Sequence, residues 1–191
     1  MKISLKYSDQ TLGTFIDFMG AGNDPLAQLS VILNKKRDQL RELPMEQVEQ
    51  VIASYIYNLK QEEKIFKQFV ELDGIKFGFH PNLKAITFGE WLDAMDYAKD
   101  LPKNYDKLLT ILYRPVTAQF NDRYTIEPYD ADIHAAYSNK MRQLPLPVVN
   151  GCMLFFSTLL NDLMSNSPEY LEGLLTKLQQ EVKEIQNEVE P

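Results

Sequence analysis

Between Phe69 and Phe79 the chain reads FVELDGIKFGF, two runs of strand-favouring residues joined by Asp73-Gly74. Both residues of that pair tolerate positive φ, which a two-residue hairpin turn demands and most dipeptides resist. The stretch therefore predicts a β-hairpin over about residues 69–79, ended by Pro81. Any fold for this chain has to accommodate it.

Around the hairpin, apolar residues recur mostly at helical spacing. A short strand is expected from Lys2 to Tyr7, where Ile3, Leu5 and Tyr7 alternate with polar residues. Ser8-Asp9 then offers capping oxygens to a helix marked by Leu12, Phe15, Ile16 and Met19. The break Gly20-Ala21-Gly22-Asn23-Asp24-Pro25 precedes a second helix carrying Leu26, Leu29, Ile32 and Leu33. A third starts at Leu43-Pro44, where proline suits a first turn, and its stripe is Val48, Val51, Ile52, Tyr55, Ile56 and Leu59. After the hairpin, Thr87-Phe88-Gly89-Glu90 has capping-box spacing, in which the Thr and Glu side chains reciprocally satisfy amides at a helix start. The helix predicted from Phe88 to about Ala98 carries Trp91, Leu92 and Met95 on one side.

Leu101-Pro102 is expected to interrupt that helix, with Leu108, Leu109, Ile111, Leu112 and Val116 in another short one. Pro115 should end it near Arg114, because the residue before a proline is pushed out of α space. Arg114 in ILYRPV is thus a permanent charge at the end of an apolar run. Its guanidinium can meet the terminal carbonyls or form a bidentate pair with a carboxylate. Asp93, Asp96 and Glu127 are the candidate partners, which makes Arg114 a structural clamp between two elements.

Asp130 to Gln143 predicts a polar helix, and Leu144-Pro145-Leu146-Pro147 a stiff connector into an apolar helix over 148–161. That helix carries Asn150, Ser157 and Thr158 and runs into Asn161-Asp162. A membrane span wants about 20 predominantly apolar residues, so a buried core helix is expected instead. Ser167-Pro168 starts the last helix, where Leu171, Leu175, Leu178, Val182, Ile185 and Val189 form a heptad seam. So short a seam needs something to lie on and is read as an interaction element. The fold expected is mainly α: a helical body over 1–165 with a small β-hairpin, then an amphipathic C-terminal helix over 166–191.

Charge and chemistry narrow the function. With 20 Lys+Arg against 27 Asp+Glu the net charge is -7, the wrong sign for gripping a phosphate backbone. The single Cys152 rules out an internal disulfide, and MKISLKYSDQ has no apolar signal core, so use inside a cell is expected. Asp130, Asp132 and His134 could share a divalent metal, but the plainer reading is an Asp cap with a surface histidine. Cys152 reads as an inert buried thiol and His80 as a turn residue. Gly74, Gly78 and Gly89 lack phosphate-loop spacing. Neither enzymatic activity nor a cofactor is expected.

Three blocks carry a resemblance. The first is Tyr7 to Ile16, YSDQTLGTFI. The second is Phe77 to Leu83, FGFHPNL, followed by Ile86 to Trp91, ITFGEW. The third joins Leu112 to Val116, LYRPV, with Tyr124 to Tyr129, YTIEPY, and with Leu146-Pro147-Val148-Val149 leading into Phe155-Phe156. Together they resemble a family of small proteins from the virion and tail gene modules of tailed bacteriophages, over most of the chain up to about residue 165. The resemblance implies a structural neck, connector or tail component that forms a ring, whose partners are copies of itself and other phage structural proteins. It implies a place in the virion and an Arg114 that fixes the fold; the acidic charge would let DNA slide past. A tail-assembly chaperone that stays in the host cytoplasm is the alternative.

Overall fold

The computed structural model describes residues 10–60 and 63–165. The expected strand at Lys2 to Tyr7 and the whole seam from Leu171 to Val189 lie outside the described residues. The chain divides into two compact units, with the boundary between Met153 and Leu154. That boundary falls earlier than the 165/166 division read from the sequence.

Within the first unit the helices are α1 (Leu12–Gly20), α2 (Pro25–Leu33), α3 (Arg37–Leu40), α4 (Met45–Leu59), α5 (Phe88–Ala98), α6 (Leu101–Leu112), α7 (Ala131–Ala135) and α8 (Ser138–Met141). The helix α9 (Leu146–Ser165) begins there and crosses the boundary. The strands β1 (Phe69–Leu72), β2 (Ile75–Phe79), β3 (Tyr113–Phe120) and β4 (Arg123–Ile126) form one antiparallel sheet in sequence order. The protein is mainly α with a small sheet, as expected. No helix among the described residues is long and apolar enough to cross a membrane.

The helix starts follow local chemistry. Thr11, rather than Ser8 or Asp9, caps α1 by accepting from the Thr14 amide at 3.3 Å. Asp24 caps α2, taking the Leu26 and Ala27 amides at 3.0 and 3.1 Å, with Pro25 in the first turn. Leu101-Pro102 interrupts the helical run as expected: α5 ends at Ala98, and Pro102 sits in the first turn of α6, where its missing amide is one that a helix start leaves unpaired. Leu108, Leu109, Ile111 and Leu112 of α6 are fully buried, and the helix packs against α1, α5, α7 and α8. It is the middle of the core.

The hairpin forms as the sequence indicates. Leu72 faces Ile75 across Asp73 and Gly74, whose φ angles of 50° and 74° are those of a mirror-image turn. The Asp73 carboxylate accepts from Lys140 Nζ at 2.7 Å and Gln143 Nε2 at 3.2 Å, which seats the turn against the α8 region.

Two expectations are corrected, and a second hairpin is added to the one expected. The helix carrying Ile111 ends at Leu112, and Tyr113, Arg114, Pro115 and Val116 belong to β3. The rule for residues before proline holds, but extended backbone begins one residue before Arg114 because Tyr113 pairs with Phe79 in the sheet. A second hairpin, β3–β4, turns at Asn121, whose φ is 53°. The span Asp130 to Gln143 is two short helices, α7 and α8, since Ala136 and Tyr137 cap α7 and open the next turn.

Gly78 is the position in β2 where a side chain is not tolerated. A Cβ there would stand 2.6 Å from Tyr124 Cε2 and 3.0 Å from Val116 Cγ2. The Tyr124 ring crosses at that point and its hydroxyl donates to the Phe79 carbonyl. Gly78→Ala is expected to cost about 1–3 kcal/mol by overpacking, read as a lower urea midpoint with an unchanged slope.

Candidate functional site

Alternation along the strands separates two sets of side chains. Phe77, Phe79 and Tyr113 share the buried face, with the Phe79 and Tyr113 rings 5.3 Å apart. Gly78 and Arg114, register partners, belong to the other face. Arg114 is nevertheless only 4% exposed, because the start of α5 covers it.

What Arg114 meets there is Glu90. Its Nη2 lies 2.6 Å from Glu90 Oε1, and the Glu90 side chain is 2% exposed. Glu90 is also the last member of the capping box. Its Oε2 accepts the Thr87 amide at 2.6 Å, while its own amide donates to Thr87 Oγ1 at 3.3 Å. One carboxylate thus completes the helix start with one oxygen and pairs with the sheet through the other. His80, at the end of β2, places Nε2 3.9 Å from the same Oε1, and its Nδ1 accepts the Asn82 amide at 3.2 Å.

The electrostatics follow from this packing. Burial acts to raise the Glu90 carboxyl, but the Thr87 amide and hydroxyl, then Arg114 and His80, outweigh it and hold it below the ordinary value. Burial pulls the Arg114 guanidinium down, opposed by Glu90, Tyr129 and Glu127. Burial, then Arg114, pushes the His80 imidazole down against the pull of Glu90. The three form one buried group in which glutamate and arginine are the ions and histidine is held neutral.

The partners read from the sequence are placed elsewhere. Asp93 accepts the Tyr129 hydroxyl at 2.6 Å. Asp96 pairs with Lys99 at 2.8 Å on the exposed side of α5. Glu127 takes the Tyr137 hydroxyl at 3.5 Å and acts on Arg114 only at a distance. The structural role read for Arg114 thus has its contact one turn before Asp93. The overlooked signal was the second oxygen of a capping glutamate, which a buried helix start leaves in need of a donor.

The Asp130, Asp132 and His134 cluster is also spoken for. Asp130 caps α7 through the Asp132 and Ile133 amides at 3.0 and 3.1 Å. His134 is buried rather than on the surface, stacked on Tyr129, with Nδ1 3.0 Å from the Asp130 amide nitrogen. Cys152 is buried and donates to the Tyr113 hydroxyl at 3.0 Å; burial pushes its thiol up to about 11. A cleft lined by Leu12, Phe15, Leu59, Tyr105 and Leu146 encloses about 60 Å³, far below the few hundred Å³ of a metabolite site.

What α5 leaves outside is the other feature of the site. Glu90 and Ala94 are its buried residues, whereas Phe88 and Leu92 are 59% and 50% exposed. Trp91 and Met95 are half-buried. Of the apolar side read from the sequence, Leu92 is outward while Trp91 and Met95 lie at the edge, and the charged Glu90 is inward.

Arg114→Ala would leave the Glu90 carboxylate buried without its partner, an expected loss of about 3–5 kcal/mol in a urea or thermal unfolding curve. Arg114→Lys should recover only part of it, because a lysine ammonium is more strongly hydrated than a guanidinium and costs more to bury. Asp96→Ala should leave the curve unchanged. Equal effects from the Arg114 and Asp96 substitutions would show that the buried pair is not the clamp.

The chain matches no protein-family model, no curated protein and no solved structure.

Proposed function

We propose that this chain is a non-enzymatic structural component of a tailed-phage virion, a neck, connector or tail part present as a ring of copies. The observation that carries the reading is the outward apolar face of α5, with Phe88 and Leu92 exposed one turn apart. Soluble proteins seldom leave such side chains grouped in water unless another protein covers them. The helix α4 adds exposed apolar residues: in its expected stripe Tyr55 is buried, Val48, Val51, Ile52 and Leu59 are half-buried and Ile56 is exposed, and Met45 and Tyr57 beside the stripe are exposed too. The phage setting comes from the three sequence blocks, and the helix faces supply surfaces through which such a part would assemble. The net charge of -7 suits a wall that DNA passes without sticking.

The heptad seam of Leu171, Leu175, Leu178, Val182, Ile185 and Val189 is proposed as a further docking element on its sequence alone. Glu181, Glu184 and Glu188 flank it and call for a partner whose rim carries Lys or Arg.

Phe88→Asp with Leu92→Asp is expected to change the unfolding free energy by no more than about 0.5 kcal/mol, as for surface positions. The same variant should lose oligomers in native mass spectrometry and should not enter particles. A large loss of stability would assign that face to the chain's own packing. Mass spectrometry of purified virions tests the placement: a stoichiometric band is expected, whereas absence from particles with presence in the infected cell would favour the tail-assembly chaperone.

A further inference from the structure

We propose that His80 is an acid-sensitive latch between the end of β2 and the loop leading into α5. The geometry requires a neutral ring. Nδ1 accepts the Asn82 amide, so the ring proton of the neutral form sits on Nε2, facing Glu90 Oε1 at 3.9 Å. An imidazolium has a proton on both nitrogens and accepts from nobody. A second proton on Nδ1 therefore sets two N–H groups against each other and breaks the bond that closes the His80-Pro81-Asn82 turn.

The charged surroundings oppose that proton as well. From β3 the Arg114 guanidinium faces His80, and from α5 the Glu90 carboxylate does. Glu90 is already engaged by Thr87 and by Arg114, so little of its charge is left to stabilise a second cation. Behind Arg114 stand Glu127 and Tyr129. The His80 side chain is 8% exposed, which leaves water poor access to screen a new charge.

The sign is fixed by comparing the two states. An exposed imidazole takes its proton near pH 6.5, and burial beside Arg114 holds the folded one lower. Between those values the open loop binds the proton and the closed loop does not, so acidification favours opening. What opens is the loop 80–87, where the Ala85 amide bonds the Asn82 carbonyl and Thr87 begins the capping box. The latch thus couples acidity to the seating of α5, whatever that helix binds.

Hydrogen exchange by mass spectrometry on the full chain, corrected for the intrinsic rate, tests this between pH 7 and pH 5. Amides 80–90 are expected to open about tenfold more often per pH unit below 6.5, down to the folded-state value, while α6 amides keep their protection. His80→Asn supplies a neutral acceptor in place of Nδ1 and should abolish the response. Persistence of the response in that variant would move it to Glu90 or His134 and overturn the proposal. A direct NMR titration of the His80 ring provides the second reading. Should the ring protonate near pH 6.5 with Asn82 still protected, there is no latch.

Discussion

Glu90 and Arg114 bring a full negative and a full positive charge together where almost no water reaches either. Removing two ions from water costs several kcal/mol each, and the contact survives because both carboxylate oxygens are engaged. Oε1 takes the guanidinium and Oε2 the Thr87 amide. The N-terminal end of α5 adds the favourable field that a helix start offers a carboxylate. Turning Glu90 inward then dictates the rest of the helix. Positions two residues away on a helix lie about 200° around its axis. Phe88 and Leu92, two before and two after Glu90, must therefore face away from the sheet. The exposed apolar face of α5 follows from the buried ion pair.

The pair in turn depends on where β3 places Arg114. Tyr113, Arg114 and Pro115 lie opposite Phe79, Gly78 and Phe77, so alternation sends the tyrosine into the core and the arginine to the other face. Tyr113 is anchored by donating to the Lys67 carbonyl and accepting from Cys152, which fixes the strand from the core side. Gly78 keeps the opposite position free of a side chain, and the Tyr124 ring occupies the space. A single register step of β3 would exchange its faces, putting Tyr113 and Pro115 where Arg114 meets α5 and sending Arg114 into the core. The hairpin, the LYRPV segment and the capping box are thus three parts of one arrangement, although 35 residues separate Phe79 from Arg114.

Local signals in the sequence were legible where one short stretch contains the whole cause. Asp73-Gly74 specifies its turn, Thr87 and Glu90 their capping box, and Asp24-Pro25 the start of α2. Signals failed where the cause lay far along the chain. Leu108 to Val116 has helical spacing throughout, and only Phe79, supplied by β2, draws Tyr113 into a strand. On α5 the periodicity grouped Trp91, Leu92 and Met95 on one side but knew nothing of an arginine that claims Glu90, so it could not show that Glu90 and Ala94 are the residues turned inward. His134 was read as exposed for the same reason: Tyr129 and Tyr137, which enclose it, come together only once α7 has turned.

The buried pair does more to choose an orientation than to add stability. Such pairs roughly balance their desolvation against their attraction, and apolar replacements of the same volume are often as stable. On α5, however, the two sides differ in how well they would fill a core. The inner side carries Glu90 and Ala94, and the outer carries Phe88 and Leu92. Apolar burial alone would favour the aromatic and leucine side facing inward, which would hide the surface through which the proposed assembly works. Arg114 opposes that rotation, because burying it against Phe88 or Leu92 would leave a guanidinium without an acceptor. Even in the observed arrangement its Nε has no partner among the described residues. A contact kept despite that loss is one that sets which side of α5 faces out.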